Sequence, residues 1–75
     1  MSTIQLDLRG LSYMMPLVKL ASAMKKANTG DVIEVVSNYP NIDRDVKNWC
    51  ASTGNALEKI VASEGYLTLL VVKKQ

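Results

Sequence analysis

The 75-residue sequence contains no histidine and only one cysteine. The absence of histidine removes the side chain that proteins use most often for acid–base catalysis and metal binding near neutral pH. The lone cysteine, Cys50, excludes both an intramolecular disulfide and a zinc site built from several cysteines. We therefore expect this chain to hold no metal ion and no cofactor.

Long apolar runs are absent as well. No stretch approaches the roughly 18 apolar residues that a bilayer-spanning helix needs. The first residues also lack the basic and then apolar pattern of a secretory signal peptide. The sequence therefore predicts a cytoplasmic protein that does not enter a membrane.

The sequence also has no large excess of positive or negative charge. The formal net charge is +2, and the basic residues are scattered apart from Lys25-Lys26 and Lys73-Lys74, which we expect to be solvated. An RNA-binding face would need basic residues beside exposed aromatic side chains. The aromatic residues of the chain are Tyr13, Tyr39, Trp49 and Tyr66. Nucleic-acid binding is therefore kept only as an alternative to the main prediction.

The residues that are present predict a single domain over residues 1–75. Hydrophobic residues make up 48% of the chain and charged residues 21%, which is typical of a folded domain rather than a disordered one. Two helices are predicted by apolar residues at helical spacing, one from Pro16 and one capped by Asn41 or Asp43. Strands are predicted at residues 3–8, 31–37, about 57–62 and 66–73.

The predicted order of elements is β-α-β-α-β-β. A strand–helix–strand unit joins parallel strands, and the short segment 63–65 predicts an antiparallel hairpin at the end. Two short helices cannot cover both faces of four strands, so we expect an α/β two-layer sandwich with a mixed four-stranded sheet and both helices on one face. The open face would combine polar residues such as Gln5 and Glu34 with apolar ones such as Val36, and is a candidate surface for a partner or a second copy.

The segment from Leu6 to Leu17 reads Leu-Asp-Leu-Arg-Gly-Leu-Ser-Tyr-Met-Met-Pro-Leu. It resembles the segment that defines the TusA/SirA family of small sulfurtransferases. In that family a strand ends in a Leu-Asp-x-(Arg/Leu)-Gly turn, and a Cys-Pro-x-Pro motif opens the first helix. Further resemblance runs along nearly the whole chain, through Gly30-Asp31, the helix with Trp49-Cys50 and the closing hairpin. The resemblance implies the same two-layer fold.

The resemblance also implies a sulfur carrier whose motif cysteine holds a persulfide, since a helix N-terminus lowers the pKa of a thiol. Here Tyr13 stands at the cysteine position and Met14 at the first proline position, while Pro16 matches the second proline. A phenol with a pKa of about 10 is a poor nucleophile at neutral pH and cannot hold sulfane sulfur. The degenerate motif therefore predicts a member without a catalytic residue, although whether the chain is an enzyme is left open.

What remains of the motif predicts partner binding. We expect a non-catalytic or regulatory member of a sulfur-relay system that binds a cysteine desulfurase, a sulfurtransferase or a sulfur acceptor. Tyr13 is either a hydrogen-bonding or stacking group for that partner or a surface aromatic without a role. The predicted binding residues are Arg9, Gly10, Ser12, Tyr13, Met14, Met15 and Pro16.

Two alternatives remain. Cys50 could act as a relocated sulfur carrier, which would require an exposed thiol in an electropositive setting. Its place beside Trp49 on the apolar side of the second helix favours a small buried hydrophobic residue instead. The other alternative is an interaction module outside sulfur metabolism, which self-associates through the open sheet face or binds RNA.

Overall fold

A computed structural model of the chain describes residues 2–11 and 14–74. The element order confirms the predicted β-α-β-α-β-β arrangement. Each predicted strand boundary lies within one residue of the observed boundary. The elements are β1 (Thr3–Asp7), α1 (Met15–Lys26), β2 (Val32–Ser37), α2 (Ile42–Thr53), β3 (Ala56–Ser63) and β4 (Tyr66–Val72). Among the described residues, no helix is long and apolar enough to cross a membrane.

The four strands form one mixed sheet in the order β1-β2-β4-β3. β1 pairs with β2 in parallel, and β4 pairs with both β2 and β3 in antiparallel orientation. β3 therefore runs in the same direction as β2, with β4 inserted between them. Ser63 pairs with Tyr66 across the closing hairpin, whose tight loop contains Gly65 at a φ of 85°. Only glycine adopts that conformation without steric cost.

Both helices pack on the same face of the sheet, as predicted. Every third or fourth residue along each helix is buried, which is the spacing that places side chains on one helical face. These helical residues share one core with alternating residues of β2 and β4, so there are two layers. The most deeply buried members are Leu20, Ile33, Val35, Ile42, Val46, Leu69 and Val71.

Helix α2 begins without the predicted side-chain cap. Asn41 occupies the N-cap position with a left-handed backbone (φ 67°), and its side chain makes no capping hydrogen bond. Asp43 and Asp45 lie in the first turn, where a negative charge interacts favourably with the helix dipole. The helix ends at Thr53 and is capped by Gly54, whose N–H donates to the carbonyl oxygen of Cys50.

The parallel pairing of β1 and β2 places the segments that follow them at one edge of the sheet. The N–H of Leu8 donates to the carbonyl oxygen of Val36 (2.7 Å), which extends the pairing one residue beyond β1. The N–H of Gly10 donates to Oδ1 of Asn38 (3.0 Å) and ties the two turns together. Both helices begin from these turns, so the start of α1 lies beside the turn that leads into α2.

Candidate partner-binding corner

The corner is defined here as residues 9–16, between the end of β1 and the first turn of α1. It contains all of the binding residues predicted from the sequence. Ser12 and Tyr13 lie outside the described residues. The remaining predicted residues, Arg9, Gly10, Met14, Met15 and Pro16, are brought together around the start of α1, whereas Cys50 lies in the second half of α2.

Arg9 is held in place by Asp7. The Arg9 backbone N–H and Nε donate to Oδ1 of Asp7 at 3.1 and 3.0 Å, and Nη2 donates to Oδ2 at 2.8 Å. These hydrogen bonds lower the pKa of Asp7 to about 2 and raise the pKa of Arg9. The carboxylate thus offsets the charge of Arg9, so this side chain is no longer an isolated cation.

The guanidinium of Arg9 also lies over an aromatic ring. Its Cζ is 5.1 Å from the ring centroid of Tyr66, a distance at which a cation is attracted by the face of the ring. Gly10 follows with a φ of 88°, which lets the chain turn sharply toward α1. Arg9 and Tyr66 together form a polar platform at the end of the sheet where β1 and β2 finish and β4 begins.

The start of α1 has an unusual backbone at Met14. This N-cap residue has a φ of 68° and a ψ of −29°, in the left-handed region, and its side chain makes no capping hydrogen bond. Its carbonyl oxygen accepts the first helical bond, from the N–H of Val18 at 2.9 Å. Pro16 is buried in the first turn, where its missing N–H leaves no donor unpaired.

Three apolar side chains at the start of α1 are exposed. Met14, Met15 and Val18 expose 53%, 41% and 51% of their surface. We call these three residues the apolar strip. Val18 was not predicted as part of the site, although its spacing was informative: it follows Met14 by four residues and Met15 by three, which places all three on neighbouring turns.

A cavity of about 300 Å³ adjoins the corner and was not predicted from the sequence. It lies between the turn after β2 and the β3–β4 hairpin, and it shares Tyr66 with the Arg9 platform. Asn38, which accepts from Gly10, also lines it. The other residues that shape its walls include Tyr39, Pro40, Ser63 and Leu67.

Cys50 is buried in the core rather than at the corner. Only 3% of its surface is exposed, and it belongs to the same core cluster as Ile42 and Val46. Burial raises the pKa of its thiol, because the thiolate loses hydration. Within residues 2–11 and 14–74, no three histidine, cysteine, aspartate or glutamate side chains are grouped so that they could hold a metal ion.

The sequence matches the family model described as Sulfurtransferase TusA over residues 4–74. A candidate sulfur carrier protein of Aquifex aeolicus is 38% identical over 69 residues, which cover 92% of this chain and 34% of that relative. One from Archaeoglobus fulgidus is 27% identical over 70 residues, covering 93% and 96%. One from Neisseria meningitidis serogroup A is 28% identical over 74 residues, covering 99% and 100%. The chain thus spans about a third of the Aquifex relative and nearly all of the other two.

Proposed function

Because the chain belongs to the TusA family, we propose that it is a sulfur-trafficking protein that binds a sulfur-relay partner at the corner and carries no sulfane sulfur itself. The partner is a cysteine desulfurase, a sulfurtransferase or a sulfur acceptor, and binding takes place in the cytoplasm. The observation that carries the proposal is the lack of an accessible thiol among the described residues and at the motif position: Tyr13 stands where the family motif has cysteine, and Cys50, the one cysteine of the sequence, is buried.

The environment of Cys50 argues against a relocated carrier. Sulfur transfer needs a thiolate that a donor can reach. Cys50 is only 3% exposed, and burial raises the pKa of its thiol, so little thiolate forms at neutral pH. A persulfide would also add an atom inside a close-packed core that includes Ile42 and Val46. Cys50 therefore acts as a core residue.

The surface of the corner supports binding instead of chemistry. The apolar strip of Met14, Met15 and Val18 offers flexible thioether side chains, which adapt to the shape of an apolar partner surface. Arg9, the first residue of the corner, lies over Tyr66, and arginine and tyrosine are both enriched at protein interfaces.

The backbone at Met14 also supports a changed corner. The family motif has a proline at this position, and proline fixes φ near −65°. The φ of 68° at Met14 cannot be adopted by proline. A proline could therefore not occupy this position without a change in the turn, so the backbone at the start of α1 agrees with the loss of the family motif.

Binding to purified relay proteins tests the proposed docking surface. A cysteine desulfurase and a sulfurtransferase, each immobilised, should bind the wild-type chain. Replacing Met14 and Val18 together by glutamate should weaken that binding by about tenfold or more, because charge would be buried in an apolar contact. Asn48→Glu, which adds a charge on the exposed side of α2, is the control and should leave binding unchanged. Binding to none of the relay proteins, or equal binding by all variants, would refute the proposal.

A further inference from the structure

The face of the sheet opposite the helices is uncovered, and its polarity is uneven. On β1 it carries Thr3, Gln5 and Asp7, all polar and exposed. The other three strands contribute nine residues in three cross-strand rows, which we call the three-strand patch. The rows are Val32, Val72 and Ala56, then Glu34, Leu70 and Lys59, then Val36, Thr68 and Val61. Arg9 and Tyr66 lie at one end of the patch.

The middle row carries opposite charges on its two sides. Glu34 lies on β2 and Lys59 on β3, with Leu70 of β4 between them. Adjacent strands are about 4.8 Å apart, so the two charged residues are separated by about 10 Å and do not pair within one chain. Glu34 accepts a long hydrogen bond of 3.4 Å from Gln5. Among the described residues, Lys59 has no ion-pair partner.

We propose that the three-strand patch binds the same patch of a second copy of this chain. In this dimer the two sheets face each other, and the two-fold axis runs between them, parallel to β4. Because β4 is the middle strand of the patch, β3 of one copy then lies over β2 of the other. Glu34 of each copy then faces Lys59 of the other, which gives two opposite-charge contacts. Leu70 meets Leu70 of the second copy at the centre. The outer rows bring Val32 against Ala56 and Val36 against Val61, while on the central strand Val72 and Thr68 each meet their own counterpart.

The charges select this orientation over the alternative. A two-fold axis perpendicular to the strands would place Glu34 against Glu34 and Lys59 against Lys59, and like charges in contact are unfavourable. The selected arrangement leaves β1 outside the contact, which agrees with its polar residues. It produces two aligned sheets covered by helices on both outer sides, the packing geometry of β-sandwiches.

The size of the patch sets the strength of the association. Three strands, with five residues along β2 and β4 and six along β3, which has a bulge between Leu57 and Lys59, give an area of about 14 by 17 Å. This is well below the roughly 800 Å² per partner of a standard stable interface. The dimer is therefore weak and reversible, and it forms as the protein concentration rises. This inference does not depend on the proposed function, since it uses the sheet face and not the corner.

Sedimentation velocity over increasing protein concentration, up to about 1 mM, tests the inference and needs no variant. The wild-type chain should shift from monomer to dimer. Glu34→Lys and Lys59→Glu, each alone, should weaken association by about tenfold or more, because each creates like-charge contacts. An equimolar mixture of these two variants should associate again, since every contact between the two species pairs opposite charges.

The mixture is the decisive arm, because a general change in solubility cannot reproduce it. Asn48→Glu on α2 is the charge control and should associate like the wild type. A wild-type chain that stays monomeric at every concentration would overturn the inference. So would a mixture that associates no better than either variant alone.

Discussion

At the scale of single residues, the position of the Arg9 side chain depends on its contacts with Asp7 and Tyr66. The sequence identified Arg9 as a binding candidate from its place in the turn, but not the partner that fixes its side chain. The contact with Tyr66 was not predictable, since Tyr66 lies near the far end of the chain and only the sheet brings them together. Local pattern therefore located the corner, whereas the contact of Arg9 with Tyr66 required the tertiary structure.

We expect the Asp7–Arg9 pair to stabilise the fold above about pH 4 and to lose that contribution as the pH falls toward about 2. The pKa of Asp7 is about 2 in the folded chain because Arg9 donates hydrogen bonds to it, whereas an aspartate in an unfolded chain titrates near 3.9. The unfolded chain therefore takes up the proton first as the pH falls, which favours unfolding. The side chains are about half exposed, so the effect is small.

An NMR titration of the Asp7 carboxyl group measures this pKa directly. Urea unfolding of Asp7→Asn should show a weaker loss of stability than the wild type over the same acidic range. Asp43→Asn, which changes an exposed aspartate in the first turn of α2, is the matched control. An Asp7 pKa near 4 would show that the pair does not form in solution.

At the scale of elements, α1 was predictable in its interior and not at its start. Leu20 and Met24 are buried at the spacing that the sequence indicated, because helical periodicity is a local property. The left-handed conformation of Met14 has no local signal, since methionine rarely adopts a positive φ. The inclusion of Val18 with Met14 and Met15 in the apolar strip likewise depended on knowing where α1 begins.

We expect Met14→Gly to raise the free energy of unfolding by about 0.5–1 kcal/mol, because glycine adopts a positive φ without the cost that other residues meet. Met14→Pro should lower it, since proline cannot reach a φ of 68°. Met15→Gly, one residue later at the first residue of α1, should lower stability, because glycine is a poorer helix former than methionine. Urea unfolding midpoints of the three variants measure these changes. Equal stability of Met14→Pro and wild type would contradict the backbone described at this residue.

At the scale of the whole molecule, the sequence predicted the element order and the two layers, but not the order of strands in the sheet. A terminal hairpin can add to a sheet through either of its strands, and the alternation within each strand is the same in both cases. A signal was available: β4 is almost entirely apolar, as a central strand is, whereas β3 carries Glu58 and Lys59, as edge strands do.

The strand order matters for function because it positions the hairpin. With β4 beside β2, Tyr66 lies next to the turn after β2 and beneath Arg9, and the cavity next to the corner forms. It also makes β4 the central strand of the three-strand patch. The corner and the patch thus meet at Arg9 and Tyr66 and depend on the same strand order.

The central claim, that this chain takes part in sulfur trafficking without carrying sulfur, is tested most directly by intact mass measurement. The folded protein is incubated with a persulfide donor and measured without reductant, beside Tyr13→Cys as a positive control and Cys50→Ser as a negative one. We expect added sulfur on Tyr13→Cys and none on the wild type, because the Cys50 thiol is buried and its pKa is raised. Added sulfur on the folded wild type that disappears in Cys50→Ser would contradict the account and make Cys50 the carrier.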